Sequence, residues 1–517
     1  MTQHTFDQKT SEFLTWFRAQ PGTTFHHDIE VRDLRDRGAG RGIVAKTDIS
    51  PDTVLFTIPR QSIICTSTSS LAAKIPGLFS TPEEQDGNDH DHDHDHDHDM
   101  NADGDEADDD DEEDDKSQDS WTSLILVLIY EYLQGANSSW RPYLDVLPTI
   151  DDFSTPMFWA ADELAELQAS PVAGKVGRDE ADKMVRTKIL PVVRAHPTVF
   201  FPEGTAELSD DELVQLAFRM GSVIMAYAFD LEKEDDEGNK PPGSDAGEEE
   251  EEEEEDEWVE DREGKTMLGM VPMADILNAD ATFNAHIEHG EHALTATSLR
   301  PIAAGEEIFN YYGPLSNGEL LRRYGYVTRA HRRWNLVDLA WAPVLAALRA
   351  EVPLPAKQWD EALGALDEDE LEEAFVIERG AEDPDSEGRV AEVGNAAGAP
   401  EELVEQLKAV MKAVKKVRPE AVPDKVARDR IIYSVIARAL EERAKQYATT
   451  LEQDLRQYEE GSDGADRKVR RQRMALDVRI GEKALLRQAT ETVKAKLAEL
   501  AKAESDGEKP NAKRRRV

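Results

Sequence analysis

The stretch from Val271 to Val327 constrains the fold most, because it carries three short signatures in a fixed order. They are Val271-Pro-Met-Ala-Asp-Ile-Leu-Asn278, Ala304-Gly-Glu-Glu-Ile-Phe-Asn-Tyr-Tyr-Gly313 and Glu319-Leu-Leu-Arg-Arg-Tyr-Gly-Tyr-Val327. In the second signature, Gly305 predicts a turn, and the apolar and aromatic run after it predicts a strand that ends at Gly313. That strand places Tyr311 and Tyr312 next to its end, where the chain turns away.

A tyrosine at a strand end can pack its ring in the core while its hydroxyl serves a cavity. Tyr324 and Tyr326 follow closely in the sequence and are candidates for the walls of the same pocket. Tyrosines in a buried segment are, however, more often core residues whose hydroxyls are already hydrogen-bonded. The tyrosines alone therefore do not define a functional site.

A glycine-rich stretch, Arg37-Gly-Ala-Gly-Arg-Gly42, lies near the N-terminus ahead of two apolar runs. Its alternating glycines allow the backbone to turn tightly and to approach a ligand closely. The dinucleotide fingerprint is excluded because Ile43 stands where its third glycine is required, and no Gly-Lys-Ser/Thr follows as a P-loop requires. The stretch is either a ligand-binding loop of another kind or an ordinary turn between strands.

The joint order of these motifs resembles SET-domain protein-lysine N-methyltransferases, more narrowly the Rubisco large-subunit methyltransferase class and its ribosomal lysine methyltransferase subgroup. In that family an Asn-His motif lies in a loop past which the following strand threads. Asn278 matches the Asn, whereas Ala279 stands where His is usual. The family's catalytic tyrosine falls on Tyr312, with Tyr311 as the adjacent alternative. The resemblance implies an α+β fold, in which a β-rich SET domain of the knotted β-clip type carries a helical insert and precedes an all-α C-terminal substrate-binding domain.

The resemblance also implies a cofactor, S-adenosyl-L-methionine, and a set of residues around it. The cofactor-binding residues would be Gly38, Ala39, Gly40, Arg41, Asn278, Ala279 and Tyr312. The substrate would contact Tyr227, Tyr311, Tyr324 and Tyr326. Tyr227 enters because Ala226-Tyr-Ala-Phe229 stands where relatives carry Ser-Arg-(Ser or Ala)-Phe, so the arginine is missing; a core tyrosine is the alternative.

The acidic character of the chain is concentrated in two segments. The formal net charge is -48, of which residues 83–119 contribute -20 and residues 232–263 contribute -16. Such runs predict solvated insertions, although they would also attract a basic substrate at long range. The Asp-His alternation from Asp89 to Asp99 is another possible cation site, but no spaced Cys/His framework accompanies it, so no metal is implied.

The resemblance, together with these composition shifts, implies the domain boundaries. Residues 1–79 and 264–330 are predicted to form the two parts of the SET domain, residues 121–230 its helical insert, and residues 331–503 the substrate-binding domain. Residues 80–120 and 231–263 are predicted to be disordered acidic insertions, and residues 504–517 a basic tail. On the last long helix, Arg479 and Lys483 are candidates for substrate contact, but a solvated face is the favoured interpretation.

Other sequence features indicate where in the cell the protein is located. Cys65 is the only cysteine, which excludes an intramolecular disulfide and fits a reducing compartment. The N-terminus lacks an apolar signal core, and the run Leu124 to Tyr130 is far shorter than the roughly 18 residues of a membrane helix. We expect a soluble monomer with no membrane partner and no direct contact with nucleic acid. The tail Lys509 to Val517 predicts nuclear import, with the cytoplasm as a further location and a merely charged end as the alternative.

The expected function is methylation of a lysine ε-amine in a protein substrate, most simply a ribosomal protein or another basic nuclear protein. Two alternatives remain. One is a catalytically weak SET scaffold, motivated by Ala279 and Tyr227. The other is an acidic chaperone for basic proteins such as histones or ribosomal proteins.

Overall fold

The computed structural model describes residues 3–79, 109–232, 266–366, 371–394, 398–461 and 466–507. The chain forms two compact units, each built from three chain segments. The first comprises Met1–Asp152, Arg178–Ala279 and Phe283–Tyr311, and the second comprises Phe153–Gly177, Asp280–Thr282 and Tyr312–Val517. Residues 508–517 of the basic tail and the acidic stretches at 80–108 and 233–265 lie outside the described residues.

The first unit contains the β-structure that the sequence predicted. Its strands are β1 (Thr24–Phe25), β2 (Ile29–Asp33), β3 (Arg41–Ala45), β4 (Val54–Pro59), β5 (Ala228–Glu232), β6 (Thr266–Met270), β7 (Asn278–Ala279), β8 (Ala285–His289), β9 (Ala293–Ser298) and β10 (Glu307–Asn310). They form a sheet in the order β1-β4-β9-β8, a second sheet in the order β2-β3-β10-β7, and the antiparallel pair β5-β6. The predicted α+β fold class is confirmed.

The pairing of β7 with β10 matters most for function, because it runs parallel whereas the neighbouring pairs run antiparallel. It sets Asn278 opposite Phe309 and Ala279 opposite Asn310. On its other side β10 pairs with β3, where Ile308 faces Ile43. Ile308 and Ile43 are fully buried, so the strand is fixed by apolar contacts as well as by its ladder.

Helices cover both units. They are α1 (Gln3–Ala19), α2 (Leu71–Lys74), α3 (Asp109–Leu133), α4 (Arg141–Leu144), α5 (Ala161–Leu164), α6 (Arg178–Met184), α7 (Leu190–Ala195), α8 (Pro197–Phe200), α9 (Asp210–Tyr227), α10 (Asn317–Tyr324), α11 (Trp341–Glu351), α12 (Ala356–Leu363), α13 (Glu401–Val417), α14 (Lys425–Lys445), α15 (Leu451–Glu460) and α16 (Arg467–Gly507). None of the described helices is long and apolar enough to cross a membrane.

Local sequence explains where several of these helices begin. Ser209 accepts a hydrogen bond from the backbone N–H of Glu212, and the Glu212 carboxylate accepts one from the backbone N–H of Ser209, which is a capping box at the start of α9. Thr450 and Gln453 form the same arrangement ahead of α15. Each box satisfies backbone donors that a helix start would leave unpaired.

Three predicted elements differ from the structure. The residue pattern from Asp162 to Thr198 predicts helical structure, but the segment divides into short α, 3-10 and π segments, and prolines at 171, 191 and 197 fall at the starts of three of them. The strand predicted to run through Tyr312 ends at Asn310. The apolar residues from Thr122 to Gln134 repeat at helical spacing and predict a core helix, but the observed helix begins at Asp109, so part of the first acidic stretch is helical.

The C-terminal region is largely helical but not all-α. Strands β11 (Val337–Ala340) and β12 (Ala374–Ile377) pair antiparallel within it. Their side chains alternate between buried and more exposed, with Val337 and Leu339 inward on one strand and Phe375 and Ile377 inward on the other. This period of two is typical of a half-buried strand, and neither strand was predicted from the sequence.

The prediction that Arg479 and Lys483 lie on a solvated helix face was wrong. Both side chains are buried, and both pair with the fully buried Asp454 of α15. Burial would raise the pKa of Asp454, but hydrogen bonds from Lys483 and Thr449 and the charge of Arg479 outweigh burial and lower it. Arg479 and Lys483 therefore form buried ion pairs inside the second unit and do not present a surface to a substrate.

Candidate functional site

Asn278 links the glycine-rich loop to strand β10 in the first unit. Its Nδ2 donates to the backbone carbonyl of Arg41 at 3.2 Å and to Oε1 of Glu307 at 2.7 Å. Because both partners are acceptors, they fix which way the side-chain amide points. Its Oδ1 makes no hydrogen bond to any residue in the described part of the chain. The half-buried Asn278 therefore keeps one acceptor for a ligand.

Gly42 lies at the point where these groups converge. A Cβ atom at this position would lie 2.4 Å from Cδ1 of Leu34, 2.8 Å from Nδ2 of Asn278 and 2.8 Å from Oε1 of Glu307. These distances are far below van der Waals contact, and Leu34 is almost fully buried, so it has little room to move. The close approach of three chain segments therefore requires glycine at this position.

The rest of the loop is open on its outer side. Gly38 ends a 3-10 turn over Arg35–Arg37 with φ of +83°, and the backbone of Ala39 donates to the carbonyl of Leu34 at 3.2 Å. The carbonyl of Gly40 accepts from Leu34 at 2.9 Å. A Cβ at Gly38 or Gly40 would meet no atom within 4 Å. A ligand can therefore approach the loop backbone closely at these two glycines.

The Arg41 side chain is engaged within the first unit. Its guanidinium donates to Thr10 Oγ1 at 2.9 Å and to the carbonyl of Val146 at 3.0 Å, and it lies 4.0 Å from the ring centroid of Phe6. Burial, reinforced by the positive charge of Arg35, lowers the pKa of Arg41 to about 10. The side chain ties the loop to helix α1, so a bound cofactor would meet the backbone of Arg41 and not its charge.

These features fit the cofactor that the resemblance implies. The methionine part of S-adenosylmethionine carries an ammonium group, for which Asn278 Oδ1 is a suitable free acceptor. The open backbone at Gly38 and Gly40 allows the close approach that such a ligand needs. The residues that would hold the cofactor are thus Gly38, Gly40, the backbone of Arg41, and Asn278.

Three of the predicted tyrosines come together in the second unit. The rings of Tyr312 and Tyr324 stack with centroids 4.8 Å apart and an interplanar angle of 21°. Tyr326 packs against Tyr324 at 6.2 Å. All three side chains are half-buried, and burial raises the pKa of Tyr324 to about 12. At neutral pH the Tyr324 phenol is therefore protonated and uncharged.

The end of helix α10 holds this cluster in position. Tyr324 is the last residue of the helix, and Gly325 caps it with φ of +77°. A Cβ at Gly325 would lie 2.9 Å from backbone atoms of Ser154 and Thr155, so glycine is required both by the turn and by the neighbouring chain. The helix end thereby fixes where Tyr324 and Tyr326 lie.

The other two predicted tyrosines, Tyr311 and Tyr227, belong to the first unit. Tyr311 stacks on Phe283 at 4.9 Å and 16° in the first unit. Tyr227 is the half-buried last residue of α9, close enough to Tyr143 to act on it electrostatically. Of the two adjacent candidates, Tyr312 is thus the one that belongs to the tyrosine cluster, and its catalytic role stays a prediction.

Glu307 is a site residue to which the sequence analysis gave no role. Its carboxylate receives the shorter of the two Asn278 hydrogen bonds, and its own backbone lies in β10. The signal was present, since Glu307 belongs to the second signature, Ala304 to Gly313, on which the family resemblance rests. What the sequence does not contain is the register of β10 beside β7, which brings Glu307 to Asn278.

The glycine loop, the parallel crossing of β7 and β10, and the tyrosine cluster after β10 are the features of a SET-domain fold. The profile of the SET domain matches residues 40–313, which is more than half of the chain. The chain therefore belongs to the SET domain family. A second profile, the Rubisco LSMT substrate-binding domain, matches residues 403–486. The family resemblance stated from the sequence is confirmed.

Curated relatives agree with this membership. The chain is 30% identical over 346 residues to ribosomal lysine N-methyltransferase 4 of Saccharomyces cerevisiae, an alignment that covers 66% of this chain and 60% of the yeast protein. It is 28% identical over 292 residues to N-lysine methyltransferase SETD6 of Homo sapiens, covering 56% of this chain and 48% of the human protein. The chain thus spans about half to two thirds of the length of these relatives.

Solved structures show the same fold over nearly the whole chain. Rubisco LSMT bound to sinefungin and monomethyllysine superposes with a TM-score of 0.59 at 17% identity, covering 98% of this chain and 97% of that one. Rubisco LSMT bound to AdoMet gives a TM-score of 0.58 at 17% identity, with the same coverage. At this level of identity the likeness concerns the fold alone.

Proposed function

We propose that the protein is an S-adenosylmethionine-dependent protein-lysine N-methyltransferase. The observation that carries the proposal is Asn278, whose Nδ2 is fully used by Arg41 and Glu307 while its Oδ1 stays free beside an open glycine loop. The names of the curated relatives, which are lysine methyltransferases, support the same activity.

The proposed roles divide between the units. In the first unit, Asn278 and the backbone from Gly38 to Arg41 bind the cofactor. When bound, S-adenosylmethionine supplies a methyl group on a sulfonium, which an amine displaces in line. Because such a displacement needs position more than acid-base chemistry, the chief task of these residues is to orient the reactants.

In the second unit, the tyrosine cluster accepts the lysine side chain. A free lysine has a pKa of about 10.4, and desolvation among aromatic rings lowers it, so the reactive neutral amine becomes available. Because burial keeps Tyr324 uncharged, no phenolate at that position stabilises the ammonium form. Tyr312 directs its hydroxyl at the amine, and Tyr324 and Tyr326 exclude water from it.

The proposed substrate is a ribosomal protein. The name of the yeast relative supports this class, and the strongly acidic composition of the chain complements basic substrates. We also propose a nuclear location, on the strength of the basic segment from Lys509 to Val517. A fluorescent fusion lacking that segment should lose nuclear accumulation, whereas equal distribution of both fusions refutes this proposal.

A labelling experiment tests the activity. Purified protein, tritiated S-adenosylmethionine and a ribosomal protein extract are combined, and labelled bands are identified by mass. Tyr312→Phe should abolish the label. Tyr311→Phe tests the adjacent candidate and should retain activity. Tyr433→Phe, a half-buried tyrosine of α14 outside the cluster, is the matched control.

The outcomes separate the alternatives. Cofactor binding by calorimetry without any label supports a SET scaffold, for which the substitution of Ala279 for the usual His is the motivating departure. No cofactor binding, together with capture of basic proteins that is lost on deleting the acidic runs, supports a chaperone. Label that persists in Tyr312→Phe but not in Tyr311→Phe reverses the assignment of the catalytic tyrosine.

A further inference from the structure

A buried carboxylate lies three residues before Asn278. Asp275 belongs to the 3-10 turn Ala274–Ile276, and it is only 9% exposed. Its Oδ2 accepts a hydrogen bond of 2.7 Å from the hydroxyl of Tyr143. Its Oδ1 is buried and has no hydrogen-bond partner in the structure. A buried carboxylate with one unpaired oxygen is costly, so its presence here calls for a physical explanation.

The partner of Asp275 is held rigidly. Tyr143 is fully buried on α4, and its ring packs beside Phe13 at 6.0 Å and Trp16 at 6.4 Å, both on helix α1. Since helix α1 and α4 fix the ring, the tyrosine hydroxyl is a fixed donor and not an adaptable one. Asp275 therefore marks a fixed attachment point for the turn that contains it.

Titratable side chains of the glycine-rich loop and of the helical insert also act on this pair. Arg41 acts on Asp275 through its positive charge, and Tyr227 acts on Tyr143. Burial is the largest influence on Asp275 and raises its pKa to about 7, despite the opposing effects of the Tyr143 hydroxyl, of the backbone N–H groups of Met273 and Asp275, and of the Arg41 charge. The carboxyl group can therefore change charge within the neutral range.

The turn that carries Asp275 leads directly to the ligand-binding amide. Met273 precedes it with φ of +86°, a left-handed conformation that is unfavourable for a residue with a side chain. Such a conformation persists only where the surroundings hold it, and the Tyr143 hydrogen bond is such a constraint. Three residues after Asp275, the Asn278 amide binds the carbonyl of Arg41.

We propose that Asp275 is a positioning residue for the cofactor site: anchored by Tyr143 and drawn towards Arg41, it holds the turn that aims Asn278 at the glycine loop. The inference rests on the proposed function, since it concerns the same cofactor site. The ionised carboxylate accepts a stronger hydrogen bond from Tyr143 and attracts Arg41, whereas the neutral acid does neither as well. Cofactor affinity should therefore weaken when Asp275 takes up a proton.

The test is calorimetric titration of S-adenosylmethionine into the full-length chain between about pH 6 and pH 8.5. Asp275→Asn keeps the shape and the acceptor for Tyr143 but cannot ionise. The ligand's own α-amine, with a pKa near 7.7–8.0, titrates in the same range, so the quantity of interest is the difference between wild type and variant. As the pH falls from 8.5 to 6, we expect the affinity of wild type, divided by that of Asp275→Asn at the same pH, to fall about threefold or more.

Two further variants make the test specific. Tyr143→Phe removes the donor and should weaken cofactor binding at all pH values while reducing the pH dependence. Asp280→Asn is the matched control, because Asp280 also has a pKa raised by burial and lies just beyond Asn278, but it hydrogen-bonds to the backbone of Thr282. This control should keep the wild-type pH profile.

The results distinguish failure of this inference from failure of the proposed function. Parallel pH profiles for wild type and Asp275→Asn overturn the positioning role while leaving the methyltransferase proposal intact. Absence of cofactor binding by wild type at every pH overturns both. If the variants do not fold, a wild-type affinity that follows only the titration of the ligand amine also overturns the positioning role.

Discussion

Replacing Gly42 with alanine should lower the stability of the first unit. The change tests how closely the chain segments that carry Leu34, Asn278 and Glu307 approach Gly42. The new Cβ would lie 2.4 Å from Leu34 and 2.8 Å from both Asn278 and Glu307. Relief requires the buried Leu34 or the Asn278 amide to move, and overpacking of this kind costs about 1–3 kcal/mol. Restricting the unfolded chain returns about 0.4–1 kcal/mol, so the net loss should be about 1–2 kcal/mol.

Gly40→Ala is the matched control, since its Cβ would meet no atom within 4 Å. Urea unfolding followed by circular dichroism gives the stability of each variant, and hydrogen exchange in β3 assigns any loss to the first unit. Gly40→Ala should stay within about 0.5 kcal/mol of wild type. Equal stability of Gly42→Ala and Gly40→Ala would refute the inferred packing.

The same pair of variants separates folding from binding. Gly42→Ala should weaken S-adenosylmethionine binding because it displaces the Asn278 amide. Gly40→Ala should weaken binding without loss of stability, because its methyl group occupies the open side of the loop. Unchanged affinity in Gly40→Ala would show that the cofactor does not lie over that glycine.

Three further predictions concern the second unit. Asp454→Asn leaves two buried cations poorly compensated and should cost about 3–5 kcal/mol in urea unfolding, whereas Glu442→Ala, which removes an exposed pair with Lys445, should leave the stability almost unchanged. Burial raises the pKa of Glu482 from 4.5 to about 7, so the folded state binds its proton more tightly and this contribution to stability is lost as pH rises through that range. Thermal melts of wild type and Glu482→Gln at about pH 5 and pH 8 test this. On going from pH 5 to pH 8, the stability of Glu482→Gln relative to wild type should rise by roughly 2–3 kcal/mol. A stability difference that is the same at both pH values contradicts this prediction. Gly325→Ala should cost at least about 1–2 kcal/mol by the same unfolding assay, because φ is +77° and the Cβ would meet the backbone of Ser154 and Thr155; wild-type stability contradicts the role of that cap.

What the sequence predicted well depends on residues that are close together along the chain. Neighbouring residues alone predict the turn at Gly305, which has φ of +85°, and the start of β10 just after it. Apolar residues between Glu402 and Val417 repeat at helical spacing and predict a helix, which is observed as Glu401–Val417. Such local patterns were enough to recognise the SET domain family.

What the sequence did not predict depends on partners that are distant along the chain. Arg479 and Lys483 are four residues apart on one face of α16, a pattern that fits a solvated face equally well until Asp454 of α15 is placed against it. Asp275 and Tyr143 are separated by 132 residues, and nothing in either local sequence marks them as a pair. Both cases involve charged groups whose burial is tolerable only because of a specific partner, so their roles follow from three-dimensional contact. For the same reason, the residues that tune the cofactor site are to be sought among its buried polar partners as well as within the family motif itself.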